Sequence, residues 1–327
     1  MRKGEWRNVI AVAPYHHKGG VNFKTQAYEA WVKEIRGSAN ANGNLFIPKT
    51  HYPWRCFHGL AYRYELPTLW KSKTEARLRF VEPVSLSFDT FPDYVRYEII
   101  PFIWDCWPCY FEKVCAWFKK HNVRTAIFTS SQTAERMQKR FPEMNIMYCP
   151  EGIDTSRYSE GKPLVERDVD LLEFGRSSNI KFNESPNANT GFRYVCTKMD
   201  GTYLYSNEQL IEIMGDAKVT IALPRSITEP EKAGDIETLT QRYWENMLSR
   251  IVMVGHAPQE LVDLIGYNPV IEMDLEHPTE QIINIVSHIG DYQELVNKSR
   301  EVALKTGDWV LKMKEVMNWL RSLGYTI

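Results

Sequence analysis

The sequence predicts an α/β fold of two doubly wound domains, because two series of short apolar strands alternate with amphipathic helices along its 327 residues. The first series ends near residue 149, and a polar stretch with two glycines and a proline, 151–167, separates it from the second. Parallel strands joined by helical crossovers are buried on both faces, so their sequences read as nearly continuous apolar runs. We expect each domain to hold a parallel sheet between two layers of helices.

The first series begins with an apolar run that ends in proline, RNVIAVAP at 7–14, which predicts a buried strand. An amphipathic helix follows at 24–36. Further strands are predicted at 97–104, 125–129 and 145–149, and helices at 110–120 and 132–140. The segment from Thr50 to Phe80 is rich in aromatic and basic residues and has no clean period. It is interpreted either as an irregular insertion over the sheet or as a surface that faces an acceptor or a membrane.

The second series has the same alternation and ends in a longer helix. Its strands are predicted at 169–174, 218–223, 251–254 and 270–273, and its helices at 208–216, 240–248, 259–265 and 279–289. A last helix, 308–323, carries Trp309, Met313, Val316 and Leu320 on one stripe. These patterns predict an N-terminal domain over 1–155, a second domain over 156–306 and a C-terminal helical segment over 307–327.

Composition excludes several classes of protein. No apolar run approaches the ~18–20 residues that a membrane-spanning helix needs, and the N-terminal MRKGEWRNVI has no apolar core of a signal peptide. Six cysteines without framework spacing indicate free thiols in a reducing cytoplasm. We therefore expect a cytoplasmic protein.

Charge is divided unevenly between the two halves of the chain. Residues 1–150 contain 22 basic and 13 acidic residues, whereas the remainder contains 18 and 28, which gives net charges of +9 and −10. Seven of the ten tryptophans also lie in the first half. The asymmetry is typical either of drift in surface charge or of an N-terminal half that lies against something anionic.

The most informative stretch, GDIETLTQRYWENMLSRIVMVG at 234–255, places two glutamates around the start of a predicted helix. Glu237 lies just before the helix, and Glu245 lies inside it. A helix start presents free N–H groups that suit a phosphate, and a carboxylate accepts hydrogen bonds from sugar hydroxyls. Because two glutamates on one helix are usually solvated, the spacing alone leaves both interpretations open.

Two other loops carry features that suit a phosphorylated ligand. In FGRSSNIK, 174–181, a predicted strand ends at Gly175 and is followed by Arg176 and Lys181, a cation pair suited to a diphosphate. The loop after the first strand contains Gly19 and Gly20, which allow the backbone to approach a ligand closely. Surface basicity and a simple turn are the alternatives. Neither GxGxxG nor GxxxxGK[ST] is present, which argues against a dinucleotide site and a P-loop.

Together, the GG loop, the arginine–lysine pair and the two glutamates resemble the retaining glycosyltransferases of the two-domain GT-B fold, the group 1 class typified by bacterial polysaccharide enzymes. CPEGID at 149–154 and the stretch 237–274, which begins ETLTQRYWENM and ends GYNPVIEMD, carry the same likeness. It is strong over 149–275, moderate over 95–150 and thin over 37–95. The resemblance implies two Rossmann-like domains that face each other across a cleft, with the last helix packed back on the N-terminal domain. It also implies a metal-independent, hexosyltransferase-like enzyme that needs no cofactor.

The resemblance assigns roles around the nucleotide-sugar donor, which we expect to be a UDP- or GDP-sugar. Arg176 and Lys181 would hold the diphosphate and stabilise the charge that grows on it. Glu245 would bind the ribose, and Glu237 would contact the transferred sugar. The backbone at Thr238 and Leu239 would face phosphate.

The resemblance also implies how the first domain takes part. Gly19 and Gly20 would let it close over the donor, and His16 and Asp105 are candidates for a side chain near the reacting carbon. The acceptor is expected to be a saccharide or lipid-linked saccharide, in the synthesis of bacterial capsule or O-antigen. The basic N-terminal half could then rest on the anionic inner face of the membrane. No nucleic-acid partner is expected, because the chain has no recognition motif for one.

Three other functions remain open from the residues. Cys106 and Cys109 form a CxxC between a strand and a helix, as in thiol redox proteins. Asp168 and Asp170 form the Asp-x-Asp of a metal-dependent glycosyltransferase, although here they begin a strand instead of ending one. A non-catalytic nucleotide-sugar-binding protein of the same fold is the third alternative.

Overall fold

The computed structural model describes residues 7–14, 23–37, 68, 71–175, 191–199, 202–203 and 205–327. Its strands are β1 Asn8–Val12, β2 Glu75–Val81, β3 Glu98–Ile103, β4 Thr125–Phe128, β5 Asn145–Tyr148, β6 Val169–Glu173, β7 Tyr194–Cys196, β8 Lys198–Met199, β9 Thr202–Tyr203, β10 Ala217–Ala222, β11 Val252–Gly255 and β12 Val270–Glu272. Its helices are α1 Phe23–Gly37, α2 Leu86–Thr90, α3 Asp93–Arg96, α4 Pro108–His121, α5 Ser131–Arg140, α6 Asn207–Met214, α7 Arg225–Thr228, α8 Pro230–Ala233, α9 Gln241–Leu248, α10 Gln259–Ile265, α11 Pro278–Ser287, α12 Gln293–Thr306 and α13 Trp309–Ser322. None of the helices in these ranges is both long enough and apolar enough to cross a bilayer.

The chain divides into two compact units. Unit 1 consists of Met1–Glu151, Glu231–Ile236 and Trp309–Ile327, and unit 2 of Gly152–Pro230 and Glu237–Asp308. Unit 2 thus begins at Gly152, four residues before the start at 156 that was expected from the sequence. It ends at Asp308, two residues after the expected end at 306.

Unit 1 contains a parallel sheet with helices on both faces. Its strands lie in the order β1-β2-β3-β4-β5. Helices α1 and α13 share one apolar cluster with the sheet, which includes Trp31 and Trp309. On the other face a second cluster is formed with α4 and α5, which contribute Phe118 and Met137. This two-sided burial explains the apolar runs from which the strands were predicted.

Strand β2 lies between β1 and β3, inside the segment interpreted as an irregular insertion or an acceptor-facing surface. Both interpretations are wrong for residues 75–80, which form part of the sheet. Arg77 and Arg79 interrupt the apolar pattern of EARLRFV, and both arginines are compensated locally. Arg79 pairs with Asp93 at 3.1 Å, with both side chains buried, and the Arg77 guanidinium lies 3.9 Å from the ring centroid of Tyr97. A charged strand is stable here because its charges have partners.

The C-terminal segment completes unit 1. Helix α13 packs against α1, and Trp309, Met313 and Leu320 are buried in the cluster they share. The last residues pair with the start of β1, since the Thr326 N–H donates to the Arg7 carbonyl and the Val9 N–H to the Thr326 carbonyl. The Tyr325 hydroxyl donates to Glu98 on β3 over 2.9 Å.

Residues Glu231–Ile236 also belong to unit 1, although the sequence pattern placed them in the second domain. Ile236 and Ala233 are buried in a small cluster with Trp107. The Asp235 carboxylate accepts two hydrogen bonds from Arg136 on α5, at 2.6 and 2.8 Å. These apolar and ionic contacts are long-range in sequence, so no local pattern indicates them.

Unit 2 is built around a second parallel sheet in the order β12-β11-β10-β6-β7. Helices α9 and α10 share one apolar cluster with it, where Trp244 and Leu261 are fully buried. On the opposite face, Ile282 and Ile285 of α11 belong to another cluster. The carboxyl ends of β6, β10, β11 and β12 lie along one edge of this sheet, which we call the carboxyl edge of unit 2.

Candidate functional site

The two predicted glutamates lie on either side of the start of α9, a helix that begins at Gln241. Glu237 lies in the segment that leads into the helix, and Glu245 lies in its second turn. His16, Gly19, Gly20, Arg176 and Lys181 lie outside the described residues, so their roles stay predictions. The described part of the site is therefore the α9 region and the carboxyl edge of unit 2.

Glu237 is held by a histidine that the sequence analysis did not single out. The Nε2 atom of His256 lies 3.2 Å from Oε1 of Glu237, and its Nδ1 atom lies 2.9 Å from Oε1 of Glu272. The same Glu237 oxygen is 3.5 Å from the Ser226 hydroxyl. The three side chains of Glu237, His256 and Glu272 thus form a row along the carboxyl edge, which we call the glutamate–histidine row.

The backbone fixes the position of His256. It directly follows β11, its N–H donates to the Ala222 carbonyl over 2.9 Å, and its own carbonyl accepts from the Tyr243 hydroxyl over 2.8 Å. The preceding residue is glycine because a Cβ at Gly255 would lie 2.0 Å from the Ala222 oxygen. Strand β10 and helix α9 therefore hold the histidine from two sides.

The row raises the proton affinity of the imidazole. Partial burial lowers the pKa of His256, but the hydrogen bond to Glu272 and the negative charge of Glu237 outweigh that effect. The pKa therefore lies above its ordinary value of 6.5. The His256 and Glu237 side chains are about one-third exposed, at 32% and 27%, so a ligand from solvent can reach them.

Glu245 is held by Tyr158, whose hydroxyl donates to Oε1 of the glutamate over 3.0 Å. Burial raises the pKa of the Glu245 carboxyl, and the Tyr158 hydrogen bond and the charge of Arg242 oppose the rise. Tyr158 is buried, and the negative charge of Glu245 adds to burial in raising the pKa of its hydroxyl. The phenol therefore stays a donor, and it occupies one of the two carboxylate oxygens.

A cation from α9 lies at the end of β6. The Arg242 guanidinium is 5.6 Å from the ring centroid of Phe174, the residue that follows β6. A Cβ at Gly175 would lie 2.6 Å from a terminal guanidinium nitrogen of Arg242, and Gly175 has φ +75. Gly175 immediately precedes Arg176, so Arg242 places positive charge at the residue from which the predicted diphosphate loop starts.

The segment between Glu237 and α9 is buried. Thr238 and Leu239 are 6% and 0% exposed. The Leu239 N–H donates to the buried carboxylate of Glu260 on α10. This backbone donor, which was expected to face phosphate, is engaged by Glu260 in the structure.

Asp105 lies two residues beyond β3 in unit 1. It is half-buried and has φ +51, a left-handed conformation that aspartate adopts more readily than most residues. Its carbonyl accepts from the Trp107 N–H over 2.9 Å. Asp105 thus lies just beyond a strand, and its role near the reacting carbon stays a prediction.

The two alternative motifs, CxxC and Asp-x-Asp, both lie in the part of the chain that the structure describes. Cys106 is buried and burial raises its pKa, whereas a redox-active thiol requires a lowered one. Asp170 accepts from Lys218 over 2.7 Å, and Asp168 lies 3.4 Å from Lys162, both at the start of β6. In the parts of the chain that the structure describes, no group of three or more histidine, cysteine or acidic side chains could hold a metal ion.

Four side chains of the site were not found by sequence reasoning: His256, Glu272, Tyr158 and Arg242. His256 carries the clearest signal, because it lies two residues beyond the carboxyl end of a predicted strand, where α/β proteins place ligand-binding residues. Arg242 lies three residues before Glu245 on the same helix. Tyr158 is 87 residues from Glu245, and no local pattern connects them.

No protein-family model matches the sequence, and no curated protein is significantly similar to it. Solved structures are similar in fold. The sucrose-phosphate synthase tll1590 from Thermosynechococcus elongatus has a TM-score of 0.58 and 11% identity, over 97% of this chain and 99% of that one. AviGT4, a glycosyltransferase involved in avilamycin A biosynthesis, has a TM-score of 0.55 and 13% identity, over 97% and 98%.

A third structure is that of Anabaena Alr3699/HepE in complex with UDP and glucose, with a TM-score of 0.55 and 9% identity, over 97% and 100% of the two chains. The chain spans about half of the longer TarM, of which 54% is covered. These identities are too low to carry a function across, and the likeness concerns the fold. With its two parallel-sheet α/β units, the chain has the two-domain, Rossmann-like GT-B fold.

Proposed function

We propose that this protein is a glycosyltransferase that takes a sugar from a nucleotide-sugar donor. The observation that carries the proposal is the pair of glutamates on either side of the α9 start, each held by its own donor. His256 holds Glu237, and Tyr158 holds Glu245. Carboxylates held in this way are acceptors for hydroxyl groups, and a nucleotide sugar offers hydroxyls on both its sugar and its ribose.

The donor is proposed to lie along the α9 region of unit 2. Glu245 accepts hydrogen bonds from the ribose hydroxyls, and Glu237 accepts them from the transferred sugar. Arg242, at the end of β6, adds positive charge near the phosphates. Arg176 and Lys181, which follow Gly175, are proposed to bind the diphosphate. The complex of HepE with UDP and glucose is consistent with such a ligand in this fold.

In the proposed reaction, the bond between the anomeric carbon and the diphosphate oxygen breaks, and the acceptor hydroxyl oxygen bonds to that carbon. Negative charge grows on the departing phosphate, where fixed positive groups stabilise it without reorganisation. The acceptor attacks from the face that the phosphate leaves and passes its proton to that phosphate, so retention requires no protein nucleophile. The fixed positive groups take the place of a metal ion in stabilising the diphosphate. Transfer of a hexose with retention of configuration, from a UDP- or GDP-sugar, completes the proposal.

The acceptor is proposed to be a saccharide or lipid-linked saccharide in bacterial surface polysaccharide synthesis. The excess of positive charge in residues 1–150 supports contact with an anionic lipid surface. Several of these cations are exposed near the ends of α4 and α5, namely Lys119, Lys120, Arg124, Lys139 and Arg140. Sedimentation with vesicles that contain anionic lipid, at low and high salt, tests this part separately.

Ligand binding tests the donor site. UDP, GDP, ADP and CMP and their sugars are screened by thermal shift, where a ligand at 100 times its Kd stabilises by about 2.7 kcal/mol. Glu245→Gln keeps the shape of the side chain but removes its charge, and we expect about tenfold weaker nucleotide binding. The matched control is Glu280→Gln, on the exposed face of α11, which should bind as the wild type does.

Transfer is measured with the nucleotide sugar that binds, and NMR of the product gives its anomeric configuration. Donor binding without any transfer or donor hydrolysis would favour the non-catalytic alternative. Equal affinity of Glu245→Gln and wild type would remove Glu245 from the donor site. If none of the nucleotides stabilises the protein, the proposal itself is wrong.

A further inference from the structure

The glutamate–histidine row contains more acceptors than a neutral histidine can serve. Both ring nitrogens of His256 face a carboxylate oxygen, at 3.2 Å for Glu237 and 2.9 Å for Glu272. An ionised carboxylate only accepts hydrogen bonds, and neutral imidazole has one donor. Only the doubly protonated imidazolium therefore satisfies both contacts.

We propose that His256 is a positioning residue that works as an imidazolium, holding the Glu237 carboxylate toward the donor sugar while Glu272 keeps the ring charged. This inference rests on the proposed function of Glu237. Glu272 is 64% exposed and faces the ring nitrogen remote from Glu237. It acts on Glu237 only through the imidazole.

The contacts described around the ring fit this arrangement. The charged groups that face the ring are Glu237, from the segment ahead of α9, and Glu272, from the end of β12. Helix α9 contributes the Tyr243 hydroxyl, which binds the His256 carbonyl, and α7 contributes the Ser226 hydroxyl, near Glu237. The raised pKa of His256 agrees with two neighbouring carboxylates that stabilise its charged form.

The sign of the pH dependence follows from that shift. The folded-state pKa of His256 lies above 6.5. Below that pKa the ring is doubly protonated and donates to both Glu237 and Glu272, and as the pH rises through it the ring loses one of these two hydrogen bonds. Glu237 then loses its fixed cationic partner. We expect kcat/KM for sugar transfer to decline on the alkaline side over the same range.

Glu272→Gln separates this role from a merely structural one. The variant leaves both Glu237 and His256 in place but removes one of the two charges that raise the pKa of the histidine. We expect the alkaline limb of kcat/KM to move to lower pH by about half a unit or more. His256→Gln keeps a side-chain amide donor for Glu237 without a charge, and it should lose the limb altogether, with kcat/KM lowered about tenfold.

The titration is also measured without any donor. The ¹³C-edited NMR signal of His256, assigned by its absence in His256→Gln, should titrate above pH 6.5 in the wild type and lower in Glu272→Gln. His288→Gln, at an exposed histidine of the same unit, is the matched control and should change neither the limb nor the signal.

The two proposals fail in different ways. If no nucleotide sugar is transferred or bound, the proposed function fails whatever the NMR titration gives. If transfer occurs but the alkaline limb is the same in wild type and Glu272→Gln, or if His256 titrates at or below 6.5, the imidazolium role is overturned. The Glu272→Gln comparison remains decisive where His256→Gln fails to fold.

Discussion

Tyr158→Phe is the smallest change that tests the site, because it removes one oxygen atom from a buried side chain. That oxygen donates to Oε1 of Glu245 over 3.0 Å. The ring of Tyr158 is packed in the core of unit 2 and would stay there. Its carbonyl accepts from Arg300 over 3.3 Å, a contact that the substitution leaves intact.

The expected effect has two parts. A hydrogen bond to a charged group contributes about 1.5–3 kcal/mol to stability, and the half-buried Glu245 can recover part of this from water. We therefore expect the free energy of unfolding to fall by about 1.5 kcal/mol. Without the hydroxyl, the Glu245 side chain must also be immobilised when a ligand binds, which costs about 0.5–1.5 kcal/mol. Nucleotide affinity should therefore fall roughly two- to tenfold.

Isothermal titration calorimetry measures the affinity, and chemical denaturation measures the stability. Tyr267→Phe is the matched control, because the Tyr267 hydroxyl in the same unit bonds to the neutral Ser299 hydroxyl over 3.0 Å. It should lose stability but not affinity. The 2′-deoxy nucleotide gives a second comparison: its penalty relative to the ribonucleotide should be smaller in Tyr158→Phe than in the wild type.

Unchanged affinity in Tyr158→Phe, with the same penalty for the 2′-deoxy nucleotide as in the wild type, would refute the reasoning. A loss of stability without a loss of affinity would leave Tyr158 as a structural residue of unit 2. Glu245 would then bind its ligand without needing a fixed orientation.

Two further predictions concern the scaffold. Asp93→Ala leaves the Arg79 charge buried without its partner, so we expect a loss of about 3–5 kcal/mol in denaturant unfolding of unit 1; a loss under 1 kcal/mol would mean that water reaches the arginine. Gly255→Ala should destabilise unit 2 by about 1–3 kcal/mol, because its Cβ would meet the Ala222 carbonyl oxygen at 2.0 Å. It should also weaken transfer through the neighbouring His256, and wild-type stability together with wild-type transfer would contradict the close approach.

The parallel sheets could be predicted because their strands are buried on both faces. Burial selects apolar runs such as EIIPFI in β3, and the amphipathic helices between them follow the same rule. Strand β2 was not predicted because Arg77 and Arg79 break its apolar run, and Asp93, the partner of the buried Arg79, comes 14 residues later in the chain. Helix α12 was also not predicted; its buried positions include the small residues Ser299 and Ala303, which give a weak apolar stripe.

The site was predictable where its residues lie close together in sequence. Glu237 lies just before a predicted helix and Glu245 inside it, and the sequence alone indicates that they flank its start. The groups that hold these carboxylates come from other strands and loops, so their contacts depend on the completed sheet. His256 reaches Glu237 only because β11 ends beside β10, a pairing that no single segment specifies.

The order of synthesis has a consequence for the folding of unit 1. A ribosome makes β1 to β5 first, then all of unit 2, and only then α13 and the residues that pair with β1. The nascent chain can therefore complete the second sheet while the first still exposes the apolar face that Trp309 and Leu320 later cover. During that interval we expect this face to be the part of the chain most in need of a chaperone.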